Sequence, residues 1–441
     1  MSAASIVAPL AARIDELAPG ARTLRVRFWD GSELPAVDGD PRHPVLTLHS
    51  PAAIAHVAFR PGEVGIARAF VSGEVSVADE DLERVLGLRT RFEGLSLGPS
   101  ELLLLARTAR RLGALRHGRP PIPATEFRKH GRLHSLMRDR AAISHHYDVS
   151  NEFYRLVLGP TMVYSCAYFA DPAESVDAAQ ERKLELICRK LRLGEDERLL
   201  DIGCGWGSLV IHAAREHGVR AVGVTISEQQ AALARQRVVE AGLQDRVEIR
   251  IADYREVSDG PYDKVASIGM YEHVGREQLP EYFRKIRELL RPGGLLLNHG
   301  ITRIEQHAER RPWASDATFI SRYVFPDGQL HRLGVVLEQA EDAGLEVRDD
   351  ESLREHYALT LRRWVANLDA NRERIVAIAG EQRARIWKLY MTGAALAFES
   401  GEIGIHQTVH VAPGAPHGLP LVRPGLMEDE AGQPASDSAA P

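Results

Sequence analysis

Cysteine is scarce. The 441 residues hold three, Cys166, Cys188 and Cys204. So sparse and odd a set does not build a disulfide framework, and it fits a reducing cytoplasm. No CxxC pair or His-rich ligand spacing occurs, so no metal site is expected. No apolar run approaches the ~18 residues of a membrane span; the stretch from Leu102 to Ala106 is far too short. The N-terminus, MSAASIVAPLAARIDELAPG, lacks the basic start of a signal peptide. Positive charge is not in excess either: 55 Lys and Arg stand against 61 Asp and Glu, a net charge of −6. General nucleic-acid binding is therefore a poor reading. Internal repeats are absent. What remains is an ordinary globular composition, 44% hydrophobic and 26% charged, which excludes global disorder. The length suggests two domains, three at most.

Residues 21–28 and 44–49 read as short strands, and residues 1–98 as a small α+β domain serving dimerisation or membrane docking. Residues 99–142 follow as an amphipathic helix (101–117) and a proline-marked linker. Between 101 and 140, ten Lys and Arg face three acids, Glu101, Glu126 and Asp139. A solvated helix explains this, and so does a basic surface for anionic headgroups, worth roughly 1 kcal/mol per basic residue near the membrane. From residue 180 strands and helices alternate, which predicts a mostly parallel α/β sheet with helices on both faces. Ser227 is set as a helix N-cap, with Gly218 and Gly242 as stops. Residues 412–441, rich in Pro, Gly, Ala and Ser, read as a disordered tail.

LLDIGCGWG (199–207) follows the first of these strands and opens a helix. Its glycines let backbone approach a ligand closely. The spacing is G-x-G-x-G, unlike the dinucleotide fingerprint, and Asp201 suits a cation such as an ammonium rather than a pyrophosphate. This resembles the first motif of class I S-adenosylmethionine-dependent methyltransferases, a Rossmann-like fold.

Further stretches narrow the resemblance: HYDVSNEFY (146–154), YSCAYF (164–169), GVTISEQQ (223–230), EHVG (272–275), HGI (299–301) and YVFPDG (323–328). In this order they are similar to the cyclopropane-fatty-acyl-phospholipid and mycolic acid cyclopropane synthases over about residues 145–411, within a catalytic domain set at 143–411. The resemblance implies that Tyr164, Ser165, Gly203, Gly205, Thr225, Gln230, Asp253 and Tyr254, with Asp201, hold S-adenosylmethionine. It implies a buried bicarbonate on Cys166, Glu272, His299, Tyr323 and the backbone of Ile301. One departure is Ala394, where relatives often carry cysteine; such a thiol is then not required. Singly, each residue also has a bland reading: Cys166 as apolar filler, His299 as a strand-end histidine, Glu272 as a cap, Tyr323 as core. Cys188 and Cys204 stay at filler.

The chemistry implied is alkylation of a cis double bond in a phospholipid acyl chain at the membrane's inner face. The alkene must be aligned with the sulfonium methyl, in a dry cavity. Tyr168, Phe169 and Trp206 are candidates to face the cation that forms. Ring closure gives a cyclopropane, whereas a hydride shift before proton loss gives a methylene branch. FWDGSE (28–33) and PGEVGIARAFVSGEV (61–75) resemble the branch that forms 10-methylene chains, which a separate reductase saturates. Methylene is therefore the favoured product, with cyclopropane as the alternative and a soluble natural-product methyltransferase as the remoter one.

Overall fold

The computed structural model describes residues 1–92, 97–116, 118–127, 150–304 and 318–422. Near the N-terminus a four-stranded sheet is ordered β2-β1-β3-β4. Its strands are β1 (Arg25–Arg27), β2 (Glu33–Leu34), β3 (Val45–Leu48) and β4 (Val75–Ser76). The glycine-containing segment before β4 is a helix, Glu63–Val71. Val64, Ala67, Arg68 and Val71 are buried on it, a spacing of three and four that gives one helical face.

The large sheet has seven strands in the order β10-β11-β9-β8-β5-β6-β7. They are β5 (Arg198–Ile202), β6 (Arg220–Thr225), β7 (Val247–Ile251), β8 (Tyr262–Ile268), β9 (Leu290–Arg303), β10 (Glu346–Ser352) and β11 (Ile403–Val411). β5 to β9 run parallel, and β11 lies antiparallel to both β9 and β10. β5 and β6 are buried almost throughout, as strands covered on both faces must be. β10 alternates at the edge and carries four acidic residues in EVRDDES, which blunts that edge.

Local signals set the helices between these strands. Ser227 Oγ accepts from Gln230 N at 3.3 Å and starts helix Glu228–Glu240. Gly218, at φ 67°, closes helix Ser208–His217. Helix Val176–Lys190 is capped by Ser175. The helix expected at 101–117 spans Pro99–Arg111; the chain leaves it through Gly113 at φ 72°. The basic linker beyond residue 127 falls outside the described residues, as does the tail from 423 on. Ala412, taken as the start of that tail, is fully buried, and its backbone bonds to Gly293 and Gly294.

Two long helices, Arg354–Ala370 and Glu381–Glu399, pack against each other and carry Trp364, Trp387 and Tyr390 into a core shared with Phe153, Tyr154 and Cys166. Helix Glu381–Glu399 also packs on helix Glu63–Val71, so it joins the N-terminal region to the large sheet. Arg68 on helix Glu63–Val71 and Glu126 form a buried pair at 2.7 Å.

Candidate functional site

Where strand order reverses about β5, the carboxyl ends of β5 to β8 open a crevice, the usual ligand position in such sheets. A cavity there is walled by Tyr164, Ser165, Asp201, Gly203, Gly205, Thr225, Gln230, Asp253 and Tyr254, together with Lys183, Trp206, Met270 and His273. All nine residues singled out for the methyl donor thus meet in one place. Gly205 has φ 53° and open space where a Cβ would point, so its backbone faces the cavity bare.

The electrostatics of this cavity are unusual. Asp201 is 2% exposed, and its Oδ1 has no hydrogen-bond partner. Burial pushes its carboxyl up to about 7, against the pull of Lys183. Lys183 is 1% exposed, donates from Nζ to Ser165 Oγ at 2.9 Å, and is pushed down to about 8 by burial. A buried, under-partnered carboxylate at a strand end is a seat for a cationic group. Thr225 Oγ1 donates to Gln230 Oε1 at 2.9 Å. Asp253 accepts from Arg255 Nε at 2.8 Å and from its Nη2 at 2.7 Å, so the guanidinium holds both oxygens. The sequence showed no sign of that pairing.

Behind the cavity lies a buried polar group. His299 and Ile301 are two residues apart on β9 and share a face. Glu272 Oε1 accepts from the Ile301 N–H at 2.7 Å, while its Oε2 is buried without a partner. Burial pushes the Glu272 carboxyl up to about 7. His299 is held well below its ordinary range by burial and then by the charge of Lys183, so its ring is neutral. Lys190 donates to Gln407 Oε1 at 2.9 Å, which turns the Gln407 Nε2 toward His299 Nδ1 at 3.1 Å. The ring proton therefore sits on Nε2, a buried donor with no partner. Gly300, between the two, is required by a close approach: a Cβ there would lie 2.1 Å from the Tyr271 ring.

Cys166 is fully buried, its Sγ against Ala167 O at 3.2 Å and Leu353 O at 3.6 Å. Tyr323 does not join the others by hydrogen bond: its hydroxyl donates to Glu126 Oε2 at 3.0 Å, beside Arg68. The Leu353 carbonyl that Cys166 Sγ approaches also accepts the backbone N–H of Tyr357 at 3.0 Å. Of the three aromatic candidates, Trp206 packs on Tyr154 at 4.8 Å, in the cluster with Tyr164, Trp364 and Trp387. Tyr168 and Phe169 stack instead on His356, and the Tyr168 hydroxyl donates to Glu351.

Lys183 and Gln407 are the residues that motif reading missed. Lys183 left a signal, because it falls in register with the buried Ala179, Gln180, Leu184 and Ile187 of its helix. Gln407 left none, since an isolated glutamine in a strand looks like any other.

Such a sheet, with a glycine loop and a buried carboxylate at its carboxyl edge, defines a class I S-adenosylmethionine-dependent methyltransferase. The family model described as mycolic acid cyclopropane synthetase matches residues 134–408, and the chain belongs to that family. A probable fatty acid methyltransferase of Pseudomonas putida is 40% identical over 91% of this chain and 95% of its own length. The tuberculostearic acid methyltransferase UfaA1 of Mycobacterium tuberculosis is 36% identical over 89% of this chain and 88% of its own. Cyclopropane mycolic acid synthase 1 of that organism is 36% identical over 60% of this chain and 95% of its own. Among solved structures, mycolic acid cyclopropane synthase CmaA1 complexed with SAH and CTAB has a TM-score of 0.59 at 35% identity, covering 62% of this chain and 98% of that one.

Proposed function

We propose that this chain transfers a methyl carbon from S-adenosylmethionine to the cis double bond of an unsaturated acyl chain in a membrane phospholipid. The observation that carries the reading is two buried polar atoms left without a partner, His299 Nε2 and Glu272 Oε2, the latter on the carboxylate that holds Ile301, which packs against the aromatic core. A methyl transfer to a hydroxyl or amine calls for a base at the acceptor atom. An alkene has no proton to give up before attack, so proton removal comes last and must happen out of water.

The donor supplies an electrophilic methyl. Asp201 meets its ammonium, and the bare backbone at Gly205 lets it lie close. Trp206, Tyr164, Trp364 and Trp387 exclude water and present ring faces to positive charge, worth ~0.5–2 kcal/mol each when desolvated. His299 Nε2–H, Glu272 and the Cys166 thiol suit a small oxyanion such as bicarbonate, a base too weakly nucleophilic to be alkylated itself. The Cys166 thiol, the Ile301 N–H and the Tyr323 hydroxyl already have partners on Ala167 O, Glu272 and Glu126, so the fit rests on His299 and Glu272. Loss of a proton from the former methyl closes a cyclopropane ring. A 1,2-hydride shift first, then loss of the same proton, leaves a methylene branch.

Methylene is the product we favour. The fatty acid and tuberculostearic acid methyltransferases resemble this chain along nearly all its length, whereas the cyclopropane mycolic acid synthase resembles only 60% of it. A phospholipid substrate is supported by a second cavity lined by Arg60, Arg68, Arg119 and Arg322 with Glu126, suited to an anionic headgroup. Leu102 and Leu103 remain exposed on the nearby basic segment. No helix among the described residues is long and apolar enough to cross a membrane, so contact would be peripheral.

The test is expression in a host that makes oleoyl phospholipids and lacks this activity. Fatty acids heavier by one CH2 are expected, and NMR should show an exocyclic alkene rather than a ring. Unchanged lipids, with the folded protein present and binding the donor, would end the reading. Retention of the protein on anionic vesicles separates it from a soluble-substrate enzyme, which would stay in the supernatant.

A further inference from the structure

We propose that Cys188, His212 and His217, with Glu185, form a binding site for a zinc-type divalent cation that ties helix Val176–Lys190 to helix Ser208–His217. One ligand atom from each of Cys188, His212 and His217 lies within 4.8 Å of the other two. Glu185 stands one turn before Cys188 on the same helix face. Its Oε2 lies 3.3 Å from His212 Nε2 and 3.0 Å from His217 Nε2, so both imidazoles converge on one oxygen. Arg189 Nε holds the other oxygen at 2.6 Å and leaves Oε2 to the cluster.

The donor set selects the metal. One thiolate, two imidazoles and one carboxylate suit zinc and its borderline neighbours, while magnesium and calcium want oxygen throughout. Tetrahedral bonds of ~2.0–2.3 Å put ligand atoms about 3.4 Å apart. From 4.8 Å at most, rotamer adjustments of about an ångström close the shell. Burial suits a structural site with no open position: Cys188 is fully buried, and the histidine side chains are 12% and 20% exposed. Binding exchanges the thiol proton for a sulfur–metal bond, and the proton leaves to solvent. No oxidant or reductant is needed.

The place also matters. Lys183 and Leu184, one turn before Cys188, wall the donor cavity, and so do Ser208 and Leu209 at the start of the partner helix. The cation would lie outside the cavity and fix the spacing of two of its walls. Neighbouring charges are those of Arg189, Arg215 and Glu216, the last two paired with each other at 2.7 Å.

The test uses the full chain, stripped with a chelator and dialysed, then titrated with zinc alone against a chromophoric competitor. One equivalent should bind, and the unfolding temperature should rise with it. Cobalt in place of zinc should give a thiolate charge-transfer band. Cys188→Ser should abolish that band, and His217→Gln should weaken zinc at least tenfold. His217 is partly exposed, so its replacement keeps the fold even if a serine in the core at 188 does not. His49→Gln, at an exposed histidine elsewhere, should bind as the parent does. No stoichiometric binding by the parent, or parental affinity in His217→Gln, overturns the site.

Discussion

The donor cavity and the polar group behind it are built in opposite ways. The cavity draws half of its lining from short segments at successive strand ends, within residues 201–206, 224–230 and 252–255. Each segment is a turn whose shape is set by its own residues, such as Gly205 or the Ser227 cap. The polar group joins distant parts of the chain: Glu272 meets Ile301 across 29 residues, and Gln407 meets His299 across 108. Local turns tolerate change elsewhere, whereas a long-range hydrogen-bond relay fails wherever one member is lost. The two regions should therefore respond differently to substitution.

Gly205→Val should have the largest effect, because φ 53° is strained for a β-branched residue and the side chain would fill the cavity. Donor affinity by calorimetry should fall by more than about 100-fold, a loss of over ~2.7 kcal/mol, while the protein stays folded. Retained binding would break the distinction between the two regions. Next come Glu272→Gln and His299→Ala, which should lower turnover by roughly 10² or more, in the range of lost acid–base groups, with donor affinity near that of the parent. A large loss of donor binding in either would merge the two regions into one.

Gln407→Leu should follow, with turnover down about tenfold and donor affinity unchanged, because the His299 ring loses the partner that keeps its proton on Nε2. Lys183→Met bridges both regions. Burial holds the Asp201 carboxyl up near 7, and Lys183 works against that rise. Donor affinity in the parent should thus increase as pH rises through about 7 and Asp201 ionises. Without the lysine the midpoint should move to higher pH, as read by calorimetry across that range. An unmoved midpoint would mean that Asp201 does not meet the donor's cation. Tyr323→Phe should have the smallest effect on turnover, within about threefold. Its cost is stability, ~1–3 kcal/mol by denaturant unfolding, from the hydrogen bond lost to buried Glu126.

Motifs revealed one region far better than the other. LLDIGCGWG announced a strand, a tight turn and a helix start because each of those is a local backbone requirement. YSCAYF and YVFPDG marked positions but not partners: Tyr168 and Phe169 went to His356, and Tyr323 to Glu126. The cluster of Cys188 with His212 and His217 had no spacing to read, since its members sit on two helices that meet only once the chain is folded.

By itself, the sequence determined the alternating strands and helices, the glycine loop, its acidic residue and the caps, all of which depend on residues within a turn or two of one another. Only the tertiary structure decided which buried polar atoms are satisfied and which are left over. Whether Lys183 lies beside Asp201, whether Gln407 fixes the His299 proton and where the aromatic wall stands depend on helix packing and strand register between elements well separated along the chain. No local pattern encodes those distances, and the cost of burying a charge or an unpaired donor is set by them.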